Sequence, residues 1–321
     1  MKRTAKIMLI TAAVLIVAGV LLIGGAMAAN HWDLSLLNDA NYETNTVMID
    51  DAFKSISIDC DTEDVVFRAA SDGKCSVIFC ERENEKHSAS VKDGTLSIGV
   101  AEKGKWYDSF TLFSNASPSI TVCLPQREYA SLVIKESTGD ISIPSDFAFE
   151  GIEIAVSTGD VECLASASGA IRVGTSTGKI RMNGVSAGTL SLRVTTGRVE
   201  LRSVACEGEL ELNVGTGKAF LTDISCGRFV TGGDTGDLHL ENVVAAGLIS
   251  IERSTGDVEL TSCDAGELQI KTDTGDVTGT LRSEKVFIAR SDTGRIDVPE
   301  TVSGGKCAIT TDTGDIKIQI R

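Results

Sequence analysis

Apolar and polar residues alternate along most of this chain with a period of two, and the alternation itself returns at a longer period. Ten Thr-Gly pairs, with glycines at Gly139, Gly159, Gly178, Gly197, Gly217, Gly236, Gly256, Gly275, Gly294 and Gly314, recur every 19 or 20 residues. Two residues after each glycine stand Ile141, Val161, Ile180, Val199, Ala219, Leu238, Val258, Val277, Ile296 and Ile316, all apolar. The next column, two further on, runs from Ile143 and Cys163 to Val298 and Ile318 and is broken only by Gly279. Before the turn, Leu132, Ile152, Ile171 and their counterparts form a third column, and Ile134, Ile154 and Val173 open a fourth. Polar residues such as Glu153, Arg172 and Gln269 separate them.

Period two is the mark of a strand with one buried face, and a helix would scatter such pairs around its circumference. A fixed period near 20 is the mark of a stacked repeat. The pattern therefore predicts an all-β fold: a single-stranded β-solenoid, or parallel β-helix, of about ten coils spanning residues 131–321. A looser column of Phe147, Val185, Val204, Ile224, Val243, Cys263 and Val302 predicts a third side. At the corners glycine supplies the positive φ that a sharp bend requires.

Upstream, residues 51–130 hold short alternating runs such as "SISIDC", "CSVIFC" and "SITVCLP", separated by turn signals. They predict an irregular β segment that begins the same solenoid, with "DTED" at Asp61–Asp64 as a worn copy of the turn unit. At the other end "DIKIQIR" predicts an exposed last coil, its edge guarded by Lys317, Gln319 and Arg321.

The first 50 residues follow a different rule. Lys2, Arg3 and Lys6 make residues 1–6 a positive n-region, and residues 7–29 are apolar. That predicts an N-terminal transmembrane helix with a cytoplasmic N-terminus, a spacer over residues 30–50 and an extracellular remainder. "AMA" at Ala26–Ala28 keeps a cleaved signal peptide as the rival. Both readings export the β region.

The net charge is −15, and the remainder is more acidic still without those three basic residues. Nucleic acid is therefore excluded as a partner. Nine cysteines without close metal-ligand pairs, several in apolar columns, predict buried free thiols rather than a disulfide framework.

Candidate chemistry is sparse. Asp234, Asp237, Asp273, Asp276, Asp312 and Asp315 line the turns and are weak candidates for holding a cation, set against ordinary turn chemistry. Trp106, Tyr107, Phe110 and Phe113 crowd the stretch "KWYDSFTLF" and could contact a glycan, lipid, peptide or protein, or instead seal the end of the core. His31, His87 and His239 are scattered, and no catalytic set or cofactor motif is visible.

The apolar anchor, the closing strand "SITVCLP", then "LVIKESTGDISI" and reiterated Thr-Gly-Asp units together resemble the bacterial cell-envelope family grouped as "putative adhesins". The resemblance spans roughly residues 52–321. It implies a β-solenoid at the cell surface and brings no catalytic residues. Three functions remain in view: a membrane-anchored, non-catalytic surface binding or envelope-sensing protein, a filament-forming scaffold, and a polysaccharide-acting β-helix enzyme. The near-constant coil length leaves little room for the cleft walls the last would need.

Overall fold

A computed structural model of the chain describes residues 3–29, 42–82, 85–102 and 118–321. Helix α1 covers Arg3–Ala29. The N-terminal β segment follows with β1 (Tyr42–Ile49), β2 (Ser55–Cys60), β3 (Asp64–Ala69), β4 (Cys75–Arg82), β5 (Lys86–Lys92), β6 (Thr95–Glu102) and β7 (Ser119–Leu124). The repeats bring β8 (Glu128–Thr138), β9 (Ile141–Ile143), β10 (Ala148–Thr158), β11 (Val161–Cys163), β12 (Ser166–Asn183), β13 (Ser186–Thr235), β14 (Leu238–Thr255) and β15 (Val258–Thr274). The last elements are β16 (Val277–Leu281), β17 (Lys285–Thr293), β18 (Ile296–Asp297), β19 (Gly305–Thr313) and β20 (Ile316–Ile320).

Successive coils pair in parallel and in the register the columns predict. Ile152 lies on Ile171 and Ile171 on Leu190, while Leu238 lies on Val258 and Val258 on Val277. The inward columns form one continuous core, and Ile154, Leu192 and Ile251 are all buried in it. All nine cysteines are free thiols, seven of them buried. A second corner, which the glycine count did not reveal, carries Ser203, Asp223, Asn242 and Ser262 at φ of 50–56°. Short polar side chains tolerate that left-handed backbone best after glycine.

Sequence order and stacking order part company at both ends. At the N-terminal end β2 sits between β6 and β8, and β3 between β7 and β9. Strands β4 and β5 then run antiparallel on β7 and β6, with β1 antiparallel on β4. At the C-terminal end β19 lies between β15 and β17, and β20 between β16 and β18. The final coil is therefore an inner rung, which corrects the expected exposed edge at Lys317, Gln319 and Arg321. The outermost rung is β17–β18. There Ile296 is exposed, and Val302 is 98% exposed, so it leaves the third-side column in which its sequence position put it. Pro299, two residues after β18, cannot donate to a ladder, which suits that stretch to an edge. Along β20, Ile316 and Lys317 pair on both sides, while Ile318–Ile320 pair with β16.

Helix α1 stands apart from this core, with Val14, Leu15, Ile16, Val17, Leu21 and Leu22 exposed. Its longest run of described side chains covers residues 10–22. Among the described residues no helix is long and apolar enough to cross a membrane.

Candidate functional site

The side chains that break the repeat identify the site. Three residues before each turn glycine runs a column that holds buried Val156, Thr175, Val194 and Val214 in successive coils, and Gly233, Arg253, Thr272, Ser291 and Thr311 further along the chain. In the adjacent coils β2–β3 and β8–β9, just inside the β6–β7 rung, the same column holds Cys60 and Glu136. In the worn turn "DTED", Glu63 stands where the other turns place glycine. These three residues meet. One donor atom from each of Cys60, Glu63 and Glu136 lies within 4.8 Å of the others, and all three residues are buried. The Cys60 thiol donates to Glu136 Oε2 at 2.6 Å.

The antiparallel cap completes the cluster. His87 on β5 places Nδ1 3.0 Å from Glu81 Oε2 and Nε2 3.2 Å from Glu63 Oε1. Its ring stacks on Phe79. The backbone N–H groups of Asp61 and Thr62 donate to Glu63 Oε2, at 3.1 and 3.0 Å. Asn45 on β1 donates to Glu81 Oε1 at 2.6 Å. Glu63 and Glu81 are thus each tied from several sides, whereas Glu136 Oε1 has no hydrogen-bond partner although the residue is only 5% exposed.

Burial and charge set the protonation states. Burial pushes the Cys60 thiol far up, helped by the contact with Glu136 and by nearby carboxylates. Burial also raises Glu136 to about 7, the Cys60 hydrogen bond opposing it and the Glu63 charge adding to it. Burial would raise Glu63 too, but His87 and the two backbone donors outweigh it and hold that carboxyl below its ordinary range. For His87, burial favours the neutral ring, yet Glu63 and Glu81 prevail and raise its pKa.

A cleft of about 450 Å³ opens beside this cluster, lined by Cys60 and Glu136, with Asp59, Asp61 and Lys135 around them. It continues along small side chains such as Ala155, Ser157 and Ser176 towards Arg193.

The residues singled out in the sequence lie elsewhere. Asp237, Asp276 and Asp315 sit in the turns and serve the stack itself: Asp237 Oδ1 accepts from the N–H of Asp257, and Asp276 Oδ1 from that of Asp315. The column extends further, with Asp160 accepting from Lys179 and Asp257 from Asp276. Asp237 also meets Lys218 at 2.8 Å, and chiefly for that reason its carboxyl titrates below its ordinary range. Asp234, Asp273 and Asp312 are exposed, each two positions ahead of a turn glycine. Among the described residues the tight group of metal-ligating type is Cys60, Glu63 and Glu136. Trp106, Tyr107, Phe110 and Phe113 fall outside the described residues. The sequence reading took His87 as isolated and did not single out Cys60, Glu63 or Glu136. The available signal was Glu63 at the position of the turn glycine and Glu136 as the one carboxylate in its column.

No curated protein sequence matches the chain significantly. Among solved structures it is similar to a "putative lipid binding protein" from Parabacteroides distasonis ATCC 8503, at 15% identity and a TM-score of 0.47, over 88% of this chain and 98% of that one. A "putative adhesin" from the same strain matches at 12% identity and 0.46, with the same shares. Another from Parabacteroides merdae ATCC 43184 matches at 12% and 0.42, again over 88% and 98%. The family model described as Toastrack DUF4097 matches residues 53–219 and 207–321, which is most of the solenoid, and the chain belongs to that family.

Proposed function

We propose that the chain is a membrane-tethered, non-catalytic binding protein of the adhesin type, with its solenoid outside the cell. The observation that carries this is helix α1, whose large apolar side chains are exposed around the helix while the solenoid has a complete core of its own. A helix apolar on all sides calls for a lipid or protein environment, and Lys2 just before it with Arg3 and Lys6 at its start favours a cytoplasmic N-terminus. The rungs then present outward columns of mixed charge, such as Arg181 between Glu162 and Glu200, as a rigid surface for a glycan, lipid, peptide or protein ligand.

The filament reading is less well supported. Head-to-tail growth needs two complementary open ends. Here the N-terminal end is covered by antiparallel β4 and β5, so it presents no parallel coil for the C-terminal rung of a neighbour to continue.

Protease protection of intact cells and inverted vesicles tests the topology. Digestion of the solenoid on intact cells is expected, and digestion only in inverted vesicles overturns the reading. Binding to arrays of envelope glycans and lipid vesicles then reads the ligand class, and turnover of any polysaccharide overturns the non-catalytic assignment.

A further inference from the structure

We propose that Cys60, Glu63 and Glu136 bind one divalent transition-metal cation of the zinc class, which clips the adjacent coils β2–β3 and β8–β9 together. This goes beyond the surface-binding reading and does not depend on it.

Three features converge. The donors come from separate places in the chain, the end of β2, the turn before β3, and β8, yet their ligand atoms lie within 4.8 Å of one another. Glu63 stands at the position of the turn glycine, and Glu136 is the one carboxylate in a column that elsewhere holds Cys60, Val, Thr, Ser, Gly and Arg253. The adjacent coils fill the same column with Val156 and Thr175, so packing alone gives no reason for two carboxylates to meet a thiol at this point. Finally, Glu136 Oε1 is buried with no hydrogen-bond partner, on a carboxyl whose other oxygen accepts from Cys60 inside the cluster. An unpaired buried carboxylate oxygen is costly, and a cation removes the cost.

The donor set selects the ion. One sulfur and two carboxylate oxygens suit a borderline cation such as Zn²⁺, whereas Ca²⁺ and Mg²⁺ require oxygen shells. At ordinary Zn–S and Zn–O lengths a tetrahedral S···O edge is about 3.5 Å, so Cys60 and Glu136 need only separate slightly from their 2.6 Å contact. Binding releases the Cys60 thiol proton to solvent. His87 lies 3.2 Å from Glu63 Oε1 and is itself held by Glu81, the arrangement by which an outer partner orients a ligating carboxylate. The cleft beside Cys60 and Glu136 gives entry, and Asp59 and Asp61 at its edge attract cations.

The test uses the full chain in detergent micelles, stripped with a chelator and titrated with Zn²⁺ or Co²⁺. One equivalent should bind, Co²⁺ should give a thiolate-to-metal absorption band, and Ca²⁺ or Mg²⁺ should not compete. Cys60→Ser should abolish the band and Glu136→Gln should weaken binding about tenfold or more, while Cys263→Ser leaves both intact. Because the first two variants could fold poorly, hydrogen exchange on the unmodified chain provides the second readout: Zn²⁺ should slow exchange in β2 and β8. The proposal is overturned by absence of saturable binding, by a cobalt band that survives Cys60→Ser, by undiminished affinity in Glu136→Gln, or by exchange in β2 and β8 that ignores Zn²⁺.

Discussion

A Cβ placed on Gly159 would stand 2.0 Å from the carbonyl oxygen of Gly139, one rung below. The same relationship links Gly275 to Gly314 and Gly314 to Gly294, so the ladder of glycines follows the stacking order rather than the sequence order. Positive φ is only half of the reason for glycine. The other half is that no side chain fits between the corners.

Gly197→Ala should therefore be severe, since its Cβ would meet Gly178 O at 1.8 Å with φ at 151°. A loss of about 3 kcal/mol or more is expected in chemical denaturation, from clash and backbone strain together. Gly174→Ala is the control, because its nearest neighbour atom lies 4.0 Å away, and it should change stability by less than about 1 kcal/mol.

Asp257 accepts the backbone N–H of Asp276 at 2.9 Å, a bond from one rung to the next. Asp257→Ala should cost about 1 kcal/mol and Asp257→Asn much less, because the amide oxygen can still accept. Equal losses in thermal melts of the two variants would show that charge, not the rung-to-rung bond, is what the column supplies.

The exchanged coils predict an inversion in hydrogen exchange. Amides of β19 and of Ile316–Lys317 in β20, close to the C-terminus, should exchange more slowly than those of β17 and β18, because they pair on both sides. Faster exchange at Gly305–Thr313 than at Lys285–Thr293 would contradict the stacking order.

Acid should loosen this end. Lys285 is buried and its Nζ lies 2.7 Å from Asp264 Oδ1, with Ser283 donating to the same oxygen at 2.8 Å. Burial works to raise the Asp264 pKa, but Lys285 and Ser283 outweigh it and the carboxyl titrates below its ordinary value of 3.8. A depressed folded pKa means the stabilisation is fully present above about 3.8 and disappears as pH falls through the lower folded value. Exchange rates in β17 measured down through that range should rise in the parent chain and show a weaker pH dependence in Asp264→Asn.

Arg253 is only 1% exposed, its Nη1 donates to Val214 O at 3.2 Å, and its Nε and Nη2 have no partner. Gly233 on the adjacent rung leaves the space for the guanidinium. Arg253→Met keeps comparable volume without a desolvated charge, so a gain of about 1–3 kcal/mol is expected in denaturant titration. A loss of that size would mean that the guanidinium has a partner in solution.

The columns at Ile141, Leu132 and Ile134 were sufficient to read the parallel stack, because each buried position repeats at every rung and the signal accumulates. The cap was less legible. Strands β4 and β5 alternate as strands should, but alternation says nothing of direction, and their antiparallel pairing depends on partners far away in sequence. The candidate site was legible only as an absence of pattern. Glu63 in a glycine column and Glu136 in a column of mixed side chains give little warning by themselves, and only their distance from Cys60 and His87 makes them a cluster.

Local chemistry along the chain settled the solenoid, its coil length and its inward faces, since turn residues and period-two burial act within one rung and its neighbours. The tertiary structure alone decided which rung is last and which carboxylates meet. Rungs with equivalent inward faces can stack in more than one order, and the choice falls to non-local terms: the pairing capacity of β20, the proline after β18, and the antiparallel strands that close the other end.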